Sequence, residues 1–495
     1  MSQRFISLGL AVTLLFAAVL GRTGYIVFSN HYTVSDSYNS YSLTVDVNEP
    51  QLYYSDRSRI NNNIPILRAV IRPTTSDLAE VSKIYDRDTA NSIIQELKEG
   101  YPVVHEIPSK DTQLRVLTAY NTDTNLRQLI STESSGILSH CGLNKQKLSV
   151  NYHIDAKGRI LTGDNGTVRD SEYLSREGYI LTIDKILQQH AFDAAKSLKS
   201  GAVIIMDAKT ARILACVNKP DNTYLNKAFS QFSVGSVFKL VTTACALENH
   251  MDYSYLCNGA VTVGDTVYNC QKNHKHGFVN LKSALAYSCN CYFINLALEL
   301  GADKLRSTAA DLGFGKNIDL FNGWNIETSS IPSADDLTSK GELALFGFGQ
   351  GKLTASPLQI CSLLCTISHD GRYSQPSLVR AKKEKNGSIT EYKLPDETNI
   401  LSKETSKTLL EYMRYVVSDG TALNADTNSH KSSGKTATAQ TGQFHSGREI
   451  YHTWFAGVYP YDAPQYCIVV MYEDGTSGAA DCCPVFRTIV ENLEE

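Results

Sequence analysis

Gly235-Ser236-Val237-Phe238-Lys239-Leu240-Val241-Thr242-Thr243-Ala244-Cys245-Ala246-Leu247 joins a glycine to a helical stretch that is apolar nearly all round. A helix of that kind belongs inside a core. Ser236 and Lys239 stand three residues apart at its start and so share one face. A serine hydroxyl is a weak nucleophile that needs a base, and a lysine serves as one only when neutral. Burial, the positive end of the helix and a second cation all lower its pKa. The spacing alone is weak, since Ser432 and Lys435 repeat it and a capping serine before a solvated lysine reads the same. The apolar helix argues against a solvated lysine.

Patterning on either side of this helix predicts the fold. Tyr179-Ile-Leu-Thr-Ile183 reads as a strand, and Leu187, Ala191, Ala194 and Leu198 then recur on one helical face. Apolar runs at 202–206 and 212–217 flank a polar turn, as do 453–459 and 466–472, so each pair is a hairpin. Val485, Ile489 and Leu493 line a closing helix, while helical sequence dominates 236–420. The expectation is an α+β body: an antiparallel sheet built from both ends of the domain, with a helical subdomain inserted.

Residues 29–66 are rich in Ser, Asn, Tyr and Asp and read as a stalk or edge strands; helices at 75–83 and 89–100 then alternate with short strands. The domains expected are therefore a membrane anchor or signal segment at 1–28, a small α+β pedestal or interaction module at 29–177, and the catalytic body at 178–495. The first rests on residues 5–21, which run without a charge between Arg4 and Arg22. That length favours an uncleaved single-pass anchor over a cleaved signal peptide, and either way the body is exported.

Composition narrows the class. The 495 residues carry 47 Lys and Arg against 51 Asp and Glu, a formal charge of −4, with 42% hydrophobic residues. That balance excludes a nucleic-acid binder, and the composition excludes a disordered chain. Twelve cysteines are many for an exported protein, but several lie in apolar runs and read as buried thiols rather than a disulfide scaffold. Cys257, Cys270, His274 and His276 are zinc-type ligand residues in a spacing that matches no strong zinc signature. A disulfide and unpaired thiols are the other readings, and no metal or cofactor is assigned. Cys289 and Cys291 read as packing residues.

Two further motifs carry chemistry. Ser288-Cys289-Asn290 offers a hydroxyl able to relay a proton and a carboxamide able to hold a peptide bond. Lys435-Thr436-Ala437-Thr438 lies on a strand, where Lys and Thr bind a carboxylate and the Thr438 N–H faces an oxyanion.

In order and setting these three elements resemble the penicillin-binding transpeptidase domain, with S-x-x-K, S-x-N and a K-T-G type strand. Gly178-Tyr-Ile-Leu-Thr-Ile-Asp184, Asn226-Lys-Ala228, Gly349-Gln-Gly351, Ser356-Pro-Leu-Gln359, Gly420-Thr-Ala422 and His452-Thr-Trp-Phe-Ala-Gly457 look like family landmarks in the family's order. The architecture is similar to a monofunctional, class B penicillin-binding protein; the family's stalk motif is only faintly echoed by Asp56-Arg57. The resemblance implies a serine β-lactamase-like fold and peptidoglycan crosslinking through an acyl-Ser236 intermediate. It further implies Lys239 as base, Ser288 as relay, Asn290 as substrate clamp, and Lys435 with Thr436 as carboxylate holders. The N–H groups of Ser236 and Thr438 would form the oxyanion hole. Implied partners are stem peptides, β-lactams and a membrane glycan polymerase. A D,D-carboxypeptidase differs only in its acceptor, and a non-catalytic scaffold or β-lactam receptor is the reading from another class. One departure is Ala437 where the family has glycine, which adds a methyl where substrate backbone must approach.

Overall fold

The computed structural model describes residues 2–28, 39–133, 136–171, 173, 175–427 and 431–494, the side chains of 2–8 and 26–28 excepted. Two compact units divide the chain: Met1–Asn48, Pro65–Tyr120 and Gln146–Leu174 in one, Glu49–Ile64, Asn121–Lys145 and Ser175–Glu495 in the other. Segments 49–64 and 121–145, grouped by the sequence with the N-terminal module, thus pack with the second unit. Gln51–Tyr53 runs parallel to Gly178–Leu181 in a four-stranded sheet, and the Tyr179 hydroxyl donates to the Cys141 carbonyl at 3.1 Å.

In the first unit, helices Thr75–Ile84 and Arg87–Glu96 start where Thr74 and Asp86 cap free backbone N–H groups. Their apolar faces meet Ala69 and Ile71 of strand Ile64–Ile71. Helix Ser2–Phe28 carries the charge-free run, with Leu10, Leu14, Leu15 and Phe16 exposed. Among the described residues no helix is long and apolar enough to cross a membrane.

The second unit holds a five-stranded antiparallel sheet in the order Ile213–Lys219, Gly201–Asp207, Tyr466–Glu473, Arg448–Tyr459, Ser433–His445. Both ends of the domain feed it, as expected from the two hairpins. The first hairpin closes because the Asp207 carboxylate accepts from the Lys209 and Thr210 N–H groups. Helix Lys185–Ala194 begins at Asp184, which caps Ile186 and Leu187. Its last turn tightens into a 3-10 turn, so Ala195 rather than Ala194 is buried beside Leu198. The C-terminal helix Cys483–Glu491 buries Val485 and Ile489, with Leu493 beyond its end.

Between the sheet's two halves lie the predicted helices, including the central Lys239–Glu248 and the buried Pro357–Ser368. The periodicity missed a small β insertion. Tyr255–Cys257 pairs with Gly277–Val279, and Ala260–Val263 with Thr266–Asn269. Its turn residues, Asn258-Gly259 and Gly264-Asp265, were the available signal.

One buried ion pair ties the sheet to the segment leading into the central helix. Lys227, 7% exposed, sits 2.6 Å from a Glu473 oxygen and also donates to the Ser200 hydroxyl. Lys227→Met leaves that carboxylate half-buried without its cation, so unfolding stability should fall by about 2 kcal/mol. A urea titration reads the loss, and the double variant Lys227→Met/Glu473→Leu should recover part of it.

Candidate active site

Backbone contacts that only glycine permits set the start of the central helix. Gly235 has φ +63° and donates its N–H to the Gly349 carbonyl at 2.9 Å. A methyl on Gly349 would lie 1.9 Å from the Gly235 carbonyl oxygen, and one on Gly235 would lie 2.9 Å from the Ala439 Cβ. The chain is thus wedged between the glycine loop and the edge strand Ser433–His445. A 3-10 turn, Gly235–Phe238, presents Ser236 half-buried before the α-helix begins at Lys239. Upstream, Ser233 is fixed at both ends: its carbonyl accepts from Trp454 Nε1 at 2.9 Å and its N–H donates to His452 Nδ1 at 3.2 Å. Burial holds His452 below the ordinary histidine range, consistent with a neutral, accepting Nδ1.

Ser288 owes its position to the way helix Leu281–Ala286 ends. Ser288 N–H bonds Leu285 O at 3.2 Å and Cys289 N–H bonds Ala284 O at 2.9 Å, the paired bonds of a Schellman ending. The left-handed residue of that motif is usually glycine; here Ser288 takes φ +57°, at a cost of about 1 kcal/mol. The turn aims both the Ser288 carbonyl and its hydroxyl at Lys239 and delivers Asn290 to the start of helix Asn290–Leu300.

Lys239 is 0% exposed and donates to three acceptors: Ser288 O at 2.8 Å, Ser288 Oγ at 3.2 Å and Asn290 Oδ1 at 2.7 Å. Asn290 in turn donates to Asn269 O at 3.0 Å. From the opposite side Lys435, also 0% exposed, donates to the same Ser288 hydroxyl at 3.1 Å and to Thr436 O at 2.9 Å. Burial pushes Lys239 down to about 8. Lys435 falls well below the ordinary lysine range, first through burial and then through the Lys239 charge. Repulsion between two cations is mutual, so it favours loss of one proton from the pair.

The predicted residues Ser288, Asn290, Lys239 and Lys435 therefore converge. Among the described residues the Ser236 hydroxyl makes no hydrogen bond; it stands one helical turn before Lys239. Thr436 is buried with its hydroxyl 2.7 Å from that of Thr421, and Thr438 is half-buried on the same edge strand. Thr421 figures in the sequence reading as a landmark alone. Its N–H bonds Ala286 O at 3.1 Å, joining the end of the Ser288 helix to the edge strand. Ala437 is 3% exposed, in the main core. Its methyl is packed away, and the steric argument for impeded substrate approach loses its footing.

Known proteins resemble this chain over most of its length. Residues 201–491 match the family model "Penicillin binding protein transpeptidase domain". The chain is 26% identical over 482 residues to the penicillin-binding protein PbpB of Mycolicibacterium smegmatis, covering 87% of this chain and 72% of that protein. It is 27% identical over 463 residues to the peptidoglycan D,D-transpeptidase FtsI homolog of Mesostigma viride, covering 82% and 75%. The fold is similar to the crystal structure of penicillin-binding protein 3 of Mycobacterium tuberculosis complexed with aztreonam, with a TM-score of 0.66 at 19% identity, covering 92% of this chain and 96% of that one.

Two outcomes follow from the geometry. Ser288→Gly relieves the left-handed strain but deletes the shared hydroxyl, so stability should stay within about 1 kcal/mol of wild type while Ser236 acylation slows by roughly 10² to 10⁴. Thermal unfolding and stopped-flow acylation measure the two separately. A lysine base works in its neutral form, which accumulates as pH rises through its pKa. Acylation should therefore increase with pH and level off above about 8; a rate falling over that range would rule Lys239 out as base.

Proposed function

The chain belongs to the penicillin-binding protein transpeptidase family, and from that premise we propose that it is a serine-type D,D-transpeptidase that crosslinks peptidoglycan. Ser236 attacks the D-alanyl-D-alanine peptide bond of a donor stem peptide. The terminal D-Ala leaves with a proton on its amine, and the acyl group rests on Ser236 as an ester. An acceptor amine then attacks the ester, loses its proton and restores the serine. The observation that carries this reading is the pair of buried lysines meeting at the Ser288 hydroxyl, one of them a turn from Ser236.

Neutral Lys239 takes the Ser236 proton, and the Ser288 hydroxyl passes a proton toward the leaving nitrogen. Lys435, buried behind Thr436, faces the Ser288 hydroxyl rather than solvent, and its closeness to Lys239 favours loss of one proton from the pair. Thr436 and Thr438 bind the substrate carboxylate, and the N–H groups of Ser236 and Thr438 polarise the scissile carbonyl. Asn290 holds the donor peptide bond. β-Lactams acylate Ser236 in the same way, the ring amide standing for the peptide bond.

The apolar segment within 1–28 serves as a single-pass anchor, 29–177 without the segments 49–64 and 121–145 as a pedestal, and 178–495 with those segments as the extracytoplasmic catalytic domain. A polytopic glycan polymerase is the partner that supplies new strands for crosslinking.

Incubating the purified chain with a fluorescent penicillin should label the peptide containing Ser236, and Ser236→Ala should abolish the label. Crosslinked dimers should form from a stem-peptide donor and acceptor. Absence of any adduct in folded protein would defeat the reading, and D-Ala release without dimers would make the enzyme a carboxypeptidase. Because the Ala437 methyl is buried, Ala437→Gly should leave the acylation rate unchanged.

A further inference from the structure

Behind the S-x-N turn, five side chains that the mechanism does not use crowd together. Cys257 ends strand Tyr255–Cys257, and its ladder partner Gly277 follows His276. Cys270 follows strand Thr266–Asn269, and Cys289 is the residue between Ser288 and Asn290. Ligand atoms of Cys257, Cys270, His276 and Cys289 all lie within 4.8 Å of one another. The three thiols are buried and His276 is half-buried.

The spacings are those of a tetrahedral metal centre. With Zn–S about 2.3 Å and Zn–N about 2.0 Å, two sulfurs on one zinc stand about 3.8 Å apart and a sulfur and a nitrogen about 3.5 Å. Here Cys257 to Cys270 is 3.7 Å, Cys270 to Cys289 is 3.9 Å, and Cys257 Sγ to His276 Nδ1 is 3.5 Å. None of these sulfurs is bonded to another, and a disulfide would need them at about 2.05 Å. Cys289 stands at the N-terminal, positive end of helix Asn290–Leu300, which favours a thiolate there.

We propose that Cys257, Cys270, His276 and Cys289 bind one zinc ion, which locks the β insertion to the turn that carries Ser288 and Asn290. Three thiols bind as thiolates and release their protons to solvent; His276 binds through Nδ1. Four protein ligands close the coordination sphere, so the ion is structural and takes no part in acyl transfer. Cys291, 3.4 Å from Cys270, stays outside the set. His274, one of the zinc-type residues singled out in the sequence, stays outside it too. The ion's effect on acylation rests on the proposed function, whereas its binding does not.

The test uses the full chain purified without chelator from zinc-supplied cells. Mass spectrometry of the metal should find about one zinc per chain, retained in Cys291→Ala and lost in Cys257→Ser/Cys270→Ser. Should the double variant fail to fold, wild type answers alone. A mercurial thiol reagent should release its zinc to a chromogenic indicator, and cobalt exchanged into the site should show a thiolate-to-metal charge-transfer band. Metal-free wild type that gives no such band with cobalt, or a Cys257–Cys270 disulfide in the unreduced peptide map, overturns the site. Withdrawing zinc should slow penicillin acylation of Ser236 about tenfold or more, with recovery on readdition. Unchanged acylation in zinc-free protein overturns the locking role. Zinc binding without any acylation leaves the site standing and defeats the proposed function instead.

Discussion

Two lysines, neither reached by solvent, meet at one serine hydroxyl, and the rest of the structure is arranged to make that tolerable. Two like charges each within 3.2 Å of one hydroxyl oxygen repel, and burying them costs more still. Lys239 answers with three acceptors, two of them from the Ser288 turn and one from Asn290. Among the described residues Lys435 has only Thr436 O and the shared hydroxyl. A pair so placed gives up a proton more readily than two ordinary lysines would, and an amine ready to accept a proton is what an unactivated serine requires.

That arrangement depends on three separate elements arriving at one point, and each arrives through backbone geometry. The central helix is positioned by the Gly235–Gly349 contact, which no side chain could share. The S-x-N turn is positioned by a Schellman ending with serine in the left-handed place. The edge strand is tied to that ending by Thr421, through its N–H to Ala286 and its hydroxyl to Thr436. Of the three, the S-x-N turn is the one that sets a non-glycine residue, Ser288, in the left-handed region. It is also the one backed by the cysteine cluster, and a metal there would fix Cys289 between the two residues that hold Lys239.

The sheet, its inserted helices and the three motifs were legible because each leaves a local mark: alternating apolar runs, capping residues, and polar side chains at the start of apolar helices. Thr74, Asp86 and Asp184 cap helices whose apolar patterning the sequence shows, although the second begins at Arg87 rather than at residue 89. What the sequence hid was set by distant partners. Segment 49–64 looks like a stalk until Gln51–Tyr53 pairs with Gly178–Leu181, and no local pattern announces a parallel partner so far along the chain. Lys435 was expected to face substrate, and its burial against Ser288 is visible only once strand and turn are assembled.

The cysteine cluster shows the same limit most sharply. A zinc signature is read from short spacings, yet Cys270 and Cys289 are 19 residues apart and meet only because the β insertion folds back onto the start of helix Asn290–Leu300. Cys289 reads as packing because its neighbours Ser288 and Asn290 already claim the motif for catalysis. Of the two histidines, strand pairing selects His276, since it precedes Gly277 opposite Cys257, whereas His274 lies two residues too early. The ligand set is therefore a property of the tertiary fold, and the residue joining it to the chemistry is the middle letter of the S-x-N motif.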